Sequence, residues 1–533
     1  MTARRAHPLM QDRAVGLSPV VAGLLEAAAA ALDRQDPSTA DAALGQVLAL
    51  EPDCAEALRM RGLLQHVRGD YRAALTLLRR AHDLRPDDAL IRMNLATALY
   101  AAGEAEAAVT CLRRACALAP DFAPAWFNLG KMYMLQGRPA GAITALQRAL
   151  DTEPEHVPAR VLLAQAQAAL GMAALASENY RDVLRRQPGQ STAWFGLSTL
   201  EVERFSEDDV AQLQQQLGLP QASVDARVSL GFALVRALED RGDPRSALRA
   251  LHKANGLQQR RMNWNPVLAS AWVGEIIQAF PAPKPATDPK PGDGVIFIAA
   301  LPQSGSLLTE QILAAHPQTV VADDIDILQR ILDAESAQRQ QPFPRWVDAA
   351  STADWSRLGQ AYLARIESRR GDASHFIDRS IANWRLAGAA LAMLPGARVV
   401  NSRRDAFESC FACYRHLFAS GNEYSYDLDH MVSYWRDYDR LSRHWQQLFP
   451  ACFLEHDYES WLADPESRVR RLLSFCGLPF EAGCVYPAQA AHGTATTGGM
   501  STVQLLRRDG MRSAWYGASL QRLRVLLGPD APR

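Results

Sequence analysis

A multidomain chain, with an N-terminal all-α solenoid followed by an α/β domain on a parallel sheet, is predicted by three observations. Pro52, Pro86, Pro120, Pro154 and Pro188 recur at a 34-residue step. Gly69, Gly103, Gly137 and Gly171 keep that step, as do Ala74, Ala108, Ala142 and Ala176, and such self-similarity marks stacked repeats. After Gly294 the period gives way to short apolar runs separated by helical stretches, the alternation of a parallel sheet.

Each repeat reads as two antiparallel helices. In "WFNLGKMYMLQG" (126–137), Leu129, Met132 and Tyr133 share a helical face, and Gly137 supplies the stop. In "AGAITALQRALDTEP" (140–154), Ala142, Ala145, Leu146 and Ala149 form a face of small residues that permits close helix approach, and Pro154 ends the helix. The solenoid is expected over 20–200, with a degenerate unit at 20–53 and a partial one from Ser191. Residues 201–279 read as a helical connector with one degenerate helix pair turning at Gly242-Asp243-Pro244, and the proline-rich 280–294 as a linker.

The second domain is expected over 295–525. "VIFIAA" (295–300) is a continuous apolar run that suits a strand buried on both faces. "HFIDR" (375–379), "ARVVNSRR" (397–404) and "CFLEHDY" (452–458) are further strands, and 307–315, 383–393 and 406–418 are helices. Ligands of such sheets sit outside the carboxyl ends of the strands.

Bulk properties exclude several classes. The 533 residues are 48% hydrophobic and 22% charged, ordinary for a globular protein, and a net charge of −1 offers no field for nucleic acid or an anionic membrane. No uncharged run is long enough to span a membrane, and Glu26 interrupts the apolar stretch that would serve a signal peptide. Of eight cysteines only Cys410 and Cys413 have metal-ligand spacing, and nothing completes a zinc set; packed thiols in a cytoplasmic protein, without a metal, are expected.

Two segments carry chemistry. "LPQSGS" (301–306) joins a strand to a helix, where unsatisfied N–H groups and the helix dipole favour an anion. Gly305 allows close backbone approach, and Ser304 and Ser306 bear hydroxyls. It is not a Walker loop, and a plain capped helix is the alternative. "NSRRDAFESCFACYRHLF" (401–418) places Arg403 and Arg404 at a strand end, where an arginine can fork onto phosphate or form a surface pair with Asp405.

Over about 54–188 the first half resembles tetratricopeptide repeats, which implies a groove for a peptide or protein partner. Over about 295–515 the second half resembles the sulfotransferase family that uses 3′-phosphoadenosine 5′-phosphosulfate (PAPS), through "LPQSGSLLTEQILAAHP", "LPGARVVNSRRDAFESCFACYRHLF" and "DYESWLADPESRVRRLLSFCGLPF". It is similar in particular to bacterial proteins that fuse such repeats to a sulfotransferase domain, related to protein-tyrosine sulfotransferases. The resemblance implies a P-loop-like fold.

The family's turn Pro-Arg-Ser-Gly-Thr-Thr falls on Pro302, Gln303, Ser304, Gly305, Ser306 and Leu307, with glutamine in place of arginine and leucine in place of the last threonine. The family's base falls on Asp324, its lysine on Arg379, and its 3′-phosphate arginine and serine on Arg404 and Ala412. His316 and His456 are secondary base candidates. Ser501, Arg507 and Arg508, within 496–515, occupy the segment that closes over the cofactor in relatives.

The implied activity is PAPS-dependent sulfuryl transfer to an acceptor hydroxyl. Asp324 would take the proton, Arg379, Gln303 and Ser306 would stabilise the transferred group, and Ser304, Gly305 and Arg404 would hold the cofactor. The alternative is a catalytically degenerate domain that acts with the repeats as a protein-binding scaffold, which the changes at Gln303, Leu307 and Ala412 favour. The acceptor and the oligomeric state are not legible.

Overall fold

The computed structural model describes residues 13, 16–200, 202–284, 288, 290–322, 326–462, 464–485, 487 and 512–528. They fall into two compact units, one within Met1–Val202, the other within Glu203–Ala495 and Gly499–Arg533.

The first unit is a run of helix pairs: α1 (Pro19–Asp33) with α2 (Pro37–Leu50), α3 (Ala55–Val67) with α4 (Tyr71–Leu84), α5 (Ala89–Ala101) with α6 (Ala105–Leu118), α7 (Ala123–Leu135) with α8 (Pro139–Thr152), and α9 (Val157–Ala169) with α10 (Ala173–Arg186), followed by α11 (Ser191–Leu200). The periodic residues explain its geometry. Gly69, Gly103, Gly137 and Gly171 all have φ between 68° and 87°, so each reverses the chain between paired helices in a conformation costly for other residues. Ala74, Ala108, Ala142 and Ala176 are fully buried. Gly130 lets α7 and α8 touch: a Cβ there would stand 2.5 Å from Leu146 Cγ.

The second unit begins with α12 (Glu207–Gly218), α13 (Val224–Asp240), α14 (Pro244–Gln259) and α15 (Pro266–Ala279). The expected pair is α13–α14, and α12 and α15 add to it. Continuing along the chain are β1 (Val295–Ala300), α16 (Ser306–Ala314), β2 (Thr319–Val321), α17 (Ile327–Arg339), α18 (Thr352–Arg370), β3 (His375–Asp378) and α19 (Asn383–Met393). Then come β4 (Arg398–Arg403), α20 (Ala406–Tyr414), α21 (Leu428–Leu448), β5 (Phe453–Asp457) and α22 (Pro465–Phe475). The helix expected at 406–418 ends at Tyr414, where Arg415 turns away to fork onto Glu239 of α13 at 2.5 Å through both Nε and Nη2.

The strand order is β2-β3-β1-β4-β5, all parallel. β1 is central, and all six of its residues are buried. Ile296 and Ile298 face Leu308 and Ile312 of α16 and Val469 and Leu472 of α22. Phe297 points the other way, 5.5 Å from the ring of Tyr362 on α18, as the two-residue period of a strand requires. The α15 helix belongs to this unit: its Ser270 Oγ donates to Asp437 of α21 at 2.5 Å, and its Trp272 indole donates to Phe343 O at 3.1 Å. Among the described residues no helix is long and apolar enough to cross a membrane.

Because β1 lies between β3 and β4, the chain leaves it in one direction and returns on its other side. The crevice at such a switch point is where open α/β sheets bind ligands. Ala300 pairs with Ser402, so the turn after β1 and the arginines after β4 meet there.

Candidate anion and transfer site

The turn after β1 is held in an uncommon shape. Gln303 has φ 62° and Gly305 φ 89°, both left-handed, around the buried Ser304. Three successive carbonyls are each occupied. Ser304 Oγ donates to Leu301 O at 2.6 Å, Cys413 Sγ to Pro302 O at 3.0 Å, and Arg404 Nη1 to Gln303 O at 3.2 Å. Ser304 Oγ also lies 3.1 Å from Ser402 O, joining the turn to β4. Its proton is therefore committed to backbone, and Ser304 shapes the turn.

The amides behave oppositely. Among the described residues the N–H groups of Gln303, Gly305, Ser306 and Leu307 have no hydrogen-bond partner, nor has Ser306 Oγ. Unsatisfied donors at the positive end of a helix, preceded by left-handed turns, form a cradle for an anion. The Gln303 side chain is exposed. Gly305 is closely covered, since a Cβ on it would stand 2.2 Å from Tyr458 Cδ2. The close approach that Gly305 permits is made here by the ring of Tyr458.

The two arginines after β4 differ. Arg403 is spent on Asp439, on Glu455 at 3.6 Å and on the face of Trp435 at 5.7 Å. Arg404 has a side chain only 3% exposed, with Glu408 at 3.5 Å, Glu459 at 4.0 Å and the Tyr458 ring 5.1 Å beneath it. A surface pair with Asp405 does not form. Asp405 instead caps α20, accepting from the N–H groups of Phe407 and Glu408. Arg404 Nε is buried without a hydrogen-bond partner. A buried guanidinium with an orphaned N–H beside free amides suits an anionic ligand.

Arg379 follows β3, and its Nη1 donates to Glu310 of α16 at 3.2 Å. Among the described residues no other hydrogen bond of Arg379 is formed, and its side chain is 39% exposed. Most of its fork is open. Glu310 is a residue that the sequence reasoning missed. Burial pushes its carboxyl above the ordinary range, although Arg379 pulls it down. A lone acid within the apolar run "SLLTEQILA" is the signal that could have found it, because a buried charge requires a partner.

Ala412 lies on α20, partly exposed, with no polar atom to offer in its side chain. Leu307 contributes its amide to the cradle and an apolar side chain. Cys410 and Cys413 are buried; burial pushes Cys413 up to about 12, so its thiol acts as a neutral donor to Pro302. Asp324 and Ser501, with Arg507 and Arg508, lie outside the described residues.

Neither histidine offers a free base. His316 Nδ1 accepts from Gln318 N–H at 3.2 Å, and its Nε2 faces Pro479 O at 3.1 Å. His456 Nε2 accepts the indole N–H of Trp461. Burial first, then Arg468 and Arg471, lower His456 to about 4. The unfolded chain, titrating near 6.5, binds a proton that the folded one refuses between about 6.5 and 4. Stability from this group is therefore complete above the upper value and falls as pH drops. Wild type should lose about 2 kcal/mol more than His456→Gln between pH 7 and pH 5, read from denaturant midpoints of the second unit.

Two surface hollows of this unit lie away from the cluster. One, at the amino ends of the strands, includes Asp293, Arg398 and Cys476. The other, between α15 and α21, includes Gln278, Arg440 and Arg443, whose arginines are held by Asp437 and Asp439.

Residues 295–482 match the model of a sulfotransferase family. Residues 25–89, 93–157 and 133–200 match models of the tetratricopeptide repeat. The chain carries an N-terminal tetratricopeptide-repeat region and a C-terminal sulfotransferase-family domain. The turn, the arginines and Glu310 all lie within that domain. A curated relative from Aquifex aeolicus (strain VF5), described as an uncharacterized protein, is 28% identical over 295 residues, 53% of this chain and 39% of that protein. The chain thus spans about two fifths of the length of the curated relative it matches.

Among solved structures, a tetratricopeptide-repeat protein of Parabacteroides merdae is 17% identical, covering 45% of this chain and 94% of its own, with a TM-score of 0.33. A thermophilic repeat protein of Thermus thermophilus is 21% identical, covering 34% and 100%, with a TM-score of 0.30. MamA of Desulfovibrio magneticus is 23% identical, covering 32% and 98%, with a TM-score of 0.29.

Proposed function

We propose that the sulfotransferase-family domain moves a sulfuryl group from PAPS to an acceptor hydroxyl, and that the repeats recruit a peptide or protein bearing that acceptor. The observation that carries this is the run of unbonded amides at Gly305, Ser306 and Leu307, beside the open fork of Arg379 and the orphaned Nε of Arg404.

PAPS supplies a sulfuryl group on a phosphate leaving group. The acceptor oxygen forms a bond to sulfur as the bond from sulfur to the phosphate oxygen breaks. The acceptor proton goes to a carboxylate, assigned by sequence position to Asp324, and the electron pair stays on the phosphate. The turn amides and Arg379 stabilise that developing charge, a role in which preorganised donors contribute most. Gln303 offers a neutral donor where the family has a cation.

The scaffold alternative is favoured by Gln303 and Ala412, and by the carboxylates Glu408 and Glu459 that already flank Arg404. Calorimetric titration with 3′-phosphoadenosine 5′-phosphate, the desulfated product, separates the two. Micromolar binding supports the enzyme, and a labelled-PAPS acceptor screen follows from it. A folded protein that ignores millimolar ligand leaves the scaffold as the function.

A further inference from the structure

Glu310 stands one helical turn beyond Ser306, on the first turns of the helix whose amides form the cradle. It is 8% exposed and, among the described residues, contacts one cation, Arg379, through one Nη1–Oε2 bond of 3.2 Å. A carboxylate so near an anion site is electrostatically unfavourable for the anion, and burial of the acid is itself costly. Its geometry nevertheless leaves Arg379 Nε and Nη2 unbonded among the described residues. One end of the guanidinium is anchored and the rest of the fork is presented. An unanchored arginine on a flexible stem would lose more freedom on meeting a ligand.

The turn lacks a cation of its own, because Gln303 occupies the one side-chain position that projects exposed from the left-handed kink. On the sheet, β3 is the direct neighbour of β1, with Phe297 paired to Asp378 immediately before Arg379. The neighbouring strand therefore carries Arg379 to α16, the helix that the turn opens, and Glu310 on that helix holds it.

We propose that Glu310 is a positioning residue that aims Arg379 at an anion over the 303–307 turn, so that this arginine takes the part of the cation missing at Gln303. This rests on the anion-transfer reading of the site. The pair couples one side of the cradle to the other: the Ser306 and Leu307 amides and Glu310 share one helix, so the anion and Arg379 are referenced to the same rigid element.

A charge argument and a positioning argument predict opposite signs. If Glu310 acts only as a negative charge near the site, Glu310→Gln tightens anion binding. If it aims Arg379, Glu310→Gln weakens it, and Glu310→Asp, with its shorter reach, weakens it partly. The experiment is calorimetry of the full chain with 3′-phosphoadenosine 5′-phosphate and, in parallel, with inorganic pyrophosphate. It uses wild type, Glu310→Gln, Glu310→Asp and Arg379→Ala, each also in a Gln303→Arg background. Melting curves confirm folding.

Arg379→Ala should cost about tenfold or more in affinity, the scale of one charge-assisted contact, and Glu310→Gln should cost about threefold to tenfold. Both losses should shrink in the Gln303→Arg background, where a second cation serves the turn. Tighter binding by Glu310→Gln, or equal losses in both backgrounds, would overturn the positioning role while leaving the anion site intact. Wild type that binds neither ligand would overturn the anion-transfer reading and this inference with it.

Discussion

Gly305→Ala should abolish binding of 3′-phosphoadenosine 5′-phosphate and destabilise the second unit by about 3 kcal/mol. Two separate penalties meet at this residue. Its φ of 89° is left-handed, which costs an L side chain about 1–2 kcal/mol. A Cβ would also stand 2.2 Å from Tyr458 Cδ2 and 2.8 Å from Cε2, and the ring cannot retreat freely because it is buried and lies under Arg404. The turn must then open, and opening it disperses the amides. A double-mutant cycle distinguishes the penalties. Combined with Tyr458→Ala, Gly305→Ala should cost at least about 1 kcal/mol less than alone, with the backbone share remaining. Additive losses would mean that the ring does not restrain the turn.

Arg404→Ala is the second change with a large expected effect. It removes the donor to Gln303 O and leaves Glu408 and Glu459 without the cation between them. Arg404 is buried but its two carboxylates are partly exposed, so water offsets part of the loss and about 2 kcal/mol of stability should go, chiefly with the charged donor to Gln303 O. Glu459 makes the loss pH-dependent. Burial, together with its neighbour Asp457, raises its carboxyl to about 7, and the neutral acid needs no cation. The deficit of Arg404→Ala should therefore be larger at pH 8 than at pH 6. Arg404→Lys keeps the charge but not the fork. It should fold nearly as well as wild type yet bind the nucleotide about tenfold more weakly. Denaturant titration and calorimetry read the two effects apart, and equal affinity for Arg404→Lys and wild type would deny the guanidinium a part in binding.

Much of this architecture was legible because it is local. The 34-residue phase of proline, glycine and alanine specifies a turn and two faces within each repeat, and strands such as "VIFIAA" announce themselves by composition. The edge strand β2 is three residues of intermediate burial, too short to leave a pattern. The turn was visible as a strand, a glycine and a helix start. What holds it was not. Cys413 reaches Pro302 across 111 positions, Arg404 reaches Gln303 across 101, and Glu310 meets Arg379 across 69. No periodicity records such pairings. Ser304 shows the limit of residue type as a guide: a hydroxyl in a phosphate-like turn looks like a ligand, and here it fastens the backbone to β4.

The occupied carbonyls of Leu301, Pro302 and Gln303 have a thermodynamic consequence. Ordering a loop of several residues around a ligand costs roughly 1–2 kcal/mol of entropy for each residue fixed. Here the turn's own Ser304 hydroxyl, with a thiol and a guanidinium from the surrounding protein, completes that ordering when the chain folds. On the proposed reading an arriving anion would find amides already in place, and would surrender only its own freedom and its water. Affinity at this turn would then be a property of the folded frame behind it, with residues that never touch the anion, Cys413 among them, setting its strength.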